Sequence, residues 1–390
     1  MRTIEVDSGM SAKIKSGKTS FYTNEIPPAF SSITPGEWFS IINNKQTWLC
    51  YGNPFVKDVP MLWVLSEQIV EPRQYIQKKI ELAFKRRQGF YQNQGMRLVY
   101  GQSDHLPGVI IDTYLDHVLI QINTAGMDKY RDDIKQSMQE LYPQKKCYFL
   151  DRKKYRESEG LPEFDKQWSD EEEITIVDSG LTYKLPMGRM QKVGFYFDHR
   201  DNRSKFENYL QNDYLSKNTA LDLFCYLGSW GLQAARAGCK SVDFVDQANF
   251  SEIVSNNLKN VNPKADFKFH HEDVFKFLDN AIVSKRKWDV VICDPPAFCK
   301  SAKQKQQALS GYRKLYNKIF KLLEQDSTLV VASCTKYVNL EELTSIVEVE
   351  AKQCGRNVLL RDIGLQAIDH PFTSLKDNAN YIKYALYRVE

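Results

Sequence analysis

Four aspartates and one cysteine in the C-terminal half of the chain follow apolar runs. They are Asp222 in LDLFCYLGSWG, Asp246 closing SVDFVD, Asp273 in HHEDVF, Asp294 in VVICDPPAF and Cys334 in VVASCT. Taken singly, such an acid is most often a helix cap or a turn residue, and a free cysteine most often packs as a small hydrophobe. Taken together they suit a ligand. An acid where Asp246 falls can hydrogen-bond two ribose hydroxyls of an adenosine, and Asp273 with Val274 can receive the edge and face of its adenine. The loop carrying Phe224, Gly228 and Gly231 has fewer glycines than a G-x-G-x-x-G fingerprint, and Asp222 sits where a pyrophosphate would be repelled. Acids at three strand ends beside a sparse glycine loop fit a cationic, phosphate-free adenosine, and S-adenosylmethionine is that ligand.

The Asp294-Pro295-Pro296 step holds the chain rigid, since two prolines can neither continue a strand nor open an ordinary helical turn. The acid and nearby carbonyls can face a flat, amino-bearing base while Phe298 stacks on it. Cys334 ends the next apolar run, on the same rim in the simplest winding. A thiolate there can add to C6 of a pyrimidine and make C5 nucleophilic towards a sulfonium methyl group; loss of the C5 proton and elimination of the thiol restore the ring. Cys299, five residues after Asp294, is the competing thiol.

These residues need a scaffold that delivers strand ends to one edge. From about residue 218 apolar runs alternate with amphipathic stretches: TALDLFCYLGS, WGLQAARAGC, SVDFVDQ, NFSEIVSNNLKNVN, FKFHHEDVFKFLD, WDVVICDPP, RKLYNKIFKLLEQ and STLVVASC. The pattern predicts a parallel, doubly wound α/β sheet buried on both faces, with ligands at the carboxyl ends of its strands. Upstream, SAKIKSG, EWFSIIN, TWLCYGNP and PMLWVLSE predict a small β-barrel over residues 1–70. Residues 71–175 predict a mixed α/β domain: a helix in PRQYIQKKIELAFKRRQGF, two strands in MRLVYGQSDHLPGVIIDTYLDHVLIQINTAG and a helix in DKYRDDIKQSMQELY. SDEEEI marks a boundary, the hairpin ITIVDSGLTYKLPM follows, and residues 176–390 form the third domain.

With 390 residues, 42% hydrophobic and 26% charged, the chain has the composition of a soluble multidomain protein. It lacks an apolar run long enough to span a bilayer and its first residues lack a signal-peptide core, so it reads as cytoplasmic. Eight scattered cysteines form neither a disulfide framework nor a zinc spacing, and the six histidines are dispersed, so no metal site is expected. The net charge of +4 excludes nothing, but KKIELAFKRR (78–87), KKCYFLDRKKYR (145–156) and KSAKQKQQALSGYRKLYNKIFK (300–321) are basic and punctuated by aromatics. Such stripes suit a nucleic-acid backbone and its bases, and equally suit solvated helix faces.

The ordered set RLVYGQSDHLPGVIIDTY (97–114), QKVGFYFDHRDNR (191–203), LDLFCYLGSWGLQAARAGC (221–239), DPPAFCKSAKQKQQALSGYRKLY (294–316), ASCT (332–335) and DHP (369–371) resembles the RlmI-type 5-methylcytosine methyltransferases of large-subunit ribosomal RNA. The resemblance covers nearly the whole chain and is weakest over residues 1–70. It implies a PUA-like N-terminal domain, a central EEHEE-like α/β domain and a C-terminal Rossmann-like class I methyltransferase domain. It makes Cys334 the nucleophile and Asp294 the acid of the DPP motif. Phe197, Asp198, Arg200, Asp222, Phe224, Gly228, Asp246, Asp273, Val274 and Asp294 are then cofactor residues. Pro295, Pro296, Phe298, Lys300, Tyr312 and Arg313 fall on the substrate side. The implied partner is ribosomal RNA, naked or in early assembly, with no membrane; a homodimer stays open. Two departures stand out: YLGSWG replaces a Thr-Gly-Gly-type turn and puts bulky Trp230 beside the expected methionine end, and Val193 stands where Thr is common.

Three other readings remain at this point. D-P-P-F/Y loops also serve enzymes that methylate exocyclic amino groups, which need no cysteine. A uracil-C5 methyltransferase shares the thiol chemistry. A catalytically silent protein could hold the cofactor and RNA without turnover.

Overall fold

The computed structural model describes residues 1–44, 46–56, 58–163, 168–190, 194–213, 217–299, 301–375, 377 and 379–390. Contacts divide the chain into two compact units, one of Met1–Val177 with Leu185–Phe195, the other of Asp178–Lys184 with Tyr196–Glu390. The hairpin Glu173–Asp178 and Leu181–Pro186 contributes to each.

The first unit carries two sheets. In one, the strands Arg2–Glu5, Glu37–Asn43, Gln46–Gly52, Leu62–Ser66 and Ser20–Phe21 lie side by side in that order. Phe39, Ile41, Trp48, Cys50, Leu62 and Val64 pack with Phe21 and Phe30 into its core. SAKIKSG, expected as a strand, lies largely in the helix Ser8–Lys15. Its apolar and polar residues alternate, but Asp7 accepts from the Met10 N–H at 2.7 Å as an N-cap, and Met10 and Ile14 are buried one helical turn apart. The second sheet has the order Met96–Tyr100, Val109–Thr113, His117–Ile122, Lys146–Phe149. The stretch expected to make two strands makes three, because the 3-10 turn Gly101–Asp104, pinned by the Tyr100 N–H on Asp104 at 2.7 Å, separates the first from the second. The helices Pro72–Arg87 and Arg131–Leu141 bury Ile76, Ile80, Ile134 and Met138 with Val109, Ile111, Val118 and Ile120.

The second unit is the scaffold of the site. Its elements, in chain order, are α1 (Arg200–Asn212), β1 (Thr219–Leu223), α2 (Ser229–Arg236), β2 (Ser241–Asp246), α3 (Ser251–Val261), β3 (Asp266–His271), α4 (Val274–Val283), β4 (Trp288–Cys293), α5 (Lys305–Phe320), β5 (Leu323–Ser333), α6 (Leu340–Gln353), β6 (Val358–Gly364) and β7 (Lys383–Val389). The sheet order is β3-β2-β1-β4-β5-β7-β6. Strands β1 to β5 run parallel, as the apolar runs of β1, β2, β4 and β5 predict, although β3 at the sheet edge is polar and largely exposed. The sheet is not parallel throughout, however: β7 lies antiparallel to both β5 and β6. Helix α5 stops at Phe320, so Leu323-Glu324-Gln325, expected in its last turn, begins β5. Glu324, Gln325 and Asp326 bulge out where the β4–β5 register jumps from Trp288↔Leu323 to Val290↔Thr328. Leu221, Val291, Leu329 and Val331 from the strands pack with Tyr316, Ile319 and Val347 from α5 and α6.

Candidate active site

The strand order reverses between β1 and β4, and the crevice at the carboxyl ends there is where ligands enter such sheets. Asp222 is paired with Phe244 of β2 and Ile292 of β4. Asp246 and Asp294 therefore each lie two residues beyond an Asp222 neighbour, and three carboxylates gather on one rim. Asp222 is fully buried; its Oδ2 accepts from the Gly231 N–H at 2.8 Å, while Oδ1 has no hydrogen-bond partner among the described residues. Burial, reinforced by Asp294 and Asp246, pushes its carboxyl up to about 8 against the opposing pull of the Gly231 N–H. Asp246 accepts from the N–H groups of Tyr226 and Ala248 at 2.9 and 2.8 Å.

The loop between β1 and α2 holds Phe224, Tyr226 and Gly228 at φ of 62°, 50° and 75°. Two non-glycine residues in the left-handed region within one short loop are costly and occur where a site requires them. Gly231 serves close packing: a Cβ there would stand 2.4 Å from the Phe244 ring and 3.1 Å from the Asp222 side chain.

Asp273 is exposed, and both its oxygens are engaged: one caps α4 through the Lys276 N–H at 3.0 Å, the other accepts from Gln247 at 2.8 Å. Val274 is buried beneath it. Asp198 accepts from the Tyr381 hydroxyl at 2.6 Å, and its carbonyl accepts from the Ala367 N–H at 2.8 Å. Arg200, expected beside the cofactor, is buried against Asp178, its guanidinium 4.6 Å from the Phe197 ring; Arg203 meets the other oxygen of Asp178 at 2.8 Å. Arg200 thus packs its guanidinium against the Phe197 ring.

Asp294 accepts from the Trp230 indole N–H at 3.0 Å, and His199 Nε2 stands 3.7 Å from its other oxygen. Pro295 is buried, Pro296 exposed and Phe298 half-buried. The Phe298 ring lies 4.6 Å from that of Tyr312, and its N–H donates to Thr335 Oγ1 at 3.2 Å. Tyr312, expected on the substrate side, is fully buried, its hydroxyl 2.7 Å from both Ser333 Oγ and Thr335 Oγ1. It ties β5 to the DPP loop and lines no surface. Arg313 is exposed on α5. Lys300 and Val193 lie outside the described residues.

Cys334 follows β5 immediately, and its half-buried thiol is 3.8 Å from the Pro295 carbonyl. Cys299 is buried in the core, which pushes its thiol up. Lys383, which no motif pointed to, is buried at the start of β7 opposite Ser333 and donates to the carbonyls of Thr335 and Tyr381 at 2.7 and 3.0 Å. Sequence singled out Trp230, at the start of α2, for its bulk but not as a donor to Asp294; Lys383 reaches the site only through strand pairing. The basic runs are partly internal: Arg87 forms a buried bidentate pair with Asp104, and buried Arg156 binds Asp128. No described helix is long and apolar enough to cross a membrane.

With its sheet order and acid-bearing rim, the second unit has the Rossmann-like fold of methyltransferases. The solved structure of SMU.776 complexed with SAH matches with a TM-score of 0.78 over 100% of both chains at 20% identity. Trm5b from Pyrococcus abyssi matches with a TM-score of 0.52 over 98% of this chain and 96% of its own at 11% identity. The family model described as conserved hypothetical protein 95 matches residues 201–361. Ribosomal RNA large subunit methyltransferase I of Aeromonas hydrophila is 30% identical over 91% of each chain, and that of Shewanella amazonensis 27% identical over 97% of this chain and 98% of its own. This chain belongs to the ribosomal RNA large subunit methyltransferase I family.

Proposed function

We propose that the protein transfers a methyl group from S-adenosylmethionine to C5 of a cytosine in large-subunit ribosomal RNA, with Cys334 as nucleophile. The single observation that carries this reading is the thiol at the end of β5, 3.8 Å from the backbone of the Asp294-Pro295-Pro296 loop. The residues fit the cofactor: Asp222 Oδ1 is buried with no donor among the described residues, and Asp246 stands at the β2 end where ribose hydroxyls would reach it. When bound, the cofactor supplies an electrophilic methyl group.

The chain's own residues do the rest. The Cys334 thiolate adds to C6 of the base, which places electron density on C5. Asp294, held by Trp230, faces the N3/N4 edge and helps the ring accept charge. After C5 is methylated its proton passes to water, the C5–H electron pair re-forms the C5=C6 bond, and the S–C6 bond breaks to return the thiolate. Residues 1–70 are read as a PUA-like module that holds RNA and residues 71–175 as an EEHEE-like module, and the exposed Arg313 adds charge on the substrate side.

Nucleoside mass spectrometry of ribosomal RNA from cells lacking the gene, after incubation with purified protein and cofactor, tests the reading. New 5-methylcytidine from the wild type and none from Cys334→Ser is the expected result. Methylation by Cys334→Ser, or a methyl group on an exocyclic nitrogen, would overturn it in favour of amino methylation.

A further inference from the structure

We infer that Lys383 is the positioning residue that holds Cys334 as its thiolate, an inference resting on Cys334 being the nucleophile proposed above. Lys383 starts β7 and is the cross-strand partner of Ser333, the residue before the thiol. Its ammonium donates to the Thr335 carbonyl, one residue past the thiol, and to Tyr381. An ammonium has three N–H donors, so these carbonyls leave one for an anion. Lys383 is only 5% exposed, and among the described residues no carboxylate comes within ion-pair distance of it. A buried cation without a carboxylate is expensive, and here it is bonded to the carbonyl of the residue that follows Cys334.

The groups that face Lys383 are Cys334, Cys299 and, from α6, Glu342; the last is itself engaged by Lys305 at 2.6 Å. Burial pulls the Lys383 ammonium down to about 8, and these three groups resist the pull. The Tyr312 phenol faces Cys334 from α5, with burial pushing its own ionisation up, so it stays neutral. Of the two thiols, Cys299 is 4% exposed and packed in the core, whereas Cys334 opens to the rim. The Cys334 proton passes to solvent, and the sulfur anion is balanced by the ammonium. The thiolate expelled from C6 at the end of the cycle returns to the same cation.

Alkylation of Cys334 by iodoacetamide as a function of pH, followed by peptide mass spectrometry on the full chain without RNA, tests this. In the wild type the midpoint is expected below the ordinary thiol value of about 8.5. Lys383→Met should raise that midpoint by about one unit and slow alkylation at neutral pH about tenfold, and Lys383→Arg should restore most of the rate. An unchanged midpoint in Lys383→Met overturns the inference. So does a wild-type midpoint at or above the ordinary value, a result that needs no variant to fold. Because the readout involves no RNA, the two ideas fail separately. A shifted midpoint with methylation surviving in Cys334→Ser would sink the proposed reaction and leave the ion pair; an unshifted one with methylation abolished would do the reverse.

Discussion

The Trp230 indole donates to Asp294 at 3.0 Å while its ring stacks on Tyr384, centroids 5.9 Å apart and planes within 9°. One side chain thus joins the first turn of α2 to the acid after β4. The bulk that YLGSWG puts in place of small residues orients the DPP carboxylate. Trp230→Phe keeps a stackable ring and removes only the donor. A hydrogen bond to a charged group contributes about 1.5–3 kcal/mol, so single-turnover methylation should slow tenfold or more while thermal unfolding moves little. An unchanged rate would make Trp230 a packing residue alone.

Asp222 gives stability a pH signature. Its folded carboxyl is raised from 3.8 to about 8, mainly by burial. The folded state therefore holds a proton that the unfolded chain has released between those values. Its contribution is fully present below about pH 4 and is lost as pH rises through about 8, at up to about 1.4 kcal/mol per pH unit. Urea unfolding from pH 5 to 9 should show this decline in the wild type and a flatter profile in Asp222→Asn. Parallel slopes would mean that Asp222 is ionised as folded.

Asp178 is buried between Arg200 and Arg203. Burial alone would raise its carboxyl, but the two guanidiniums hold it below the usual range. Asp178→Ala leaves two buried cations without their anion and should cost about 3–5 kcal/mol in urea unfolding. In the wild type this contribution is present above the ordinary carboxylate range and fades as pH falls through the lowered value. A loss under about 1 kcal/mol would show that water replaces the carboxylate.

Strands β1, β2, β4 and β5 are legible as apolar runs, and the breaks after β2, β4 and β5 put Asp246, Asp294 and Cys334 at the rim, while Asp222 sits within the apolar run of β1. Local pattern fails where structure is decided elsewhere. SAKIK alternates like a strand, but its fate is set by the Asp7 cap and by which residues find a core. The direction of β7 leaves no trace in composition, so neither the mixed sheet nor Lys383 opposite Ser333 could be read in advance. Arg200 lies in a motif with polar neighbours, yet its partner Asp178 comes from a hairpin well upstream. Tyr312 has the residue type of a base-stacking ring, and burial gives it another task.

The bonds from Tyr312 to Ser333 and Thr335, and from the Phe298 N–H to Thr335, weld the thiol-bearing end of β5 to the loop of Asp294. Cys334 and the Asp294 loop therefore belong to one hydrogen-bonded body. In the proposed reaction, deformation on docking falls to the nucleic acid. A cytosine held in a helix must leave its stack at a cost of a few kcal/mol, so loops, bulges and strands not yet folded into a subunit are the cheapest to engage. The folding stage of the RNA then becomes part of the enzyme's selectivity.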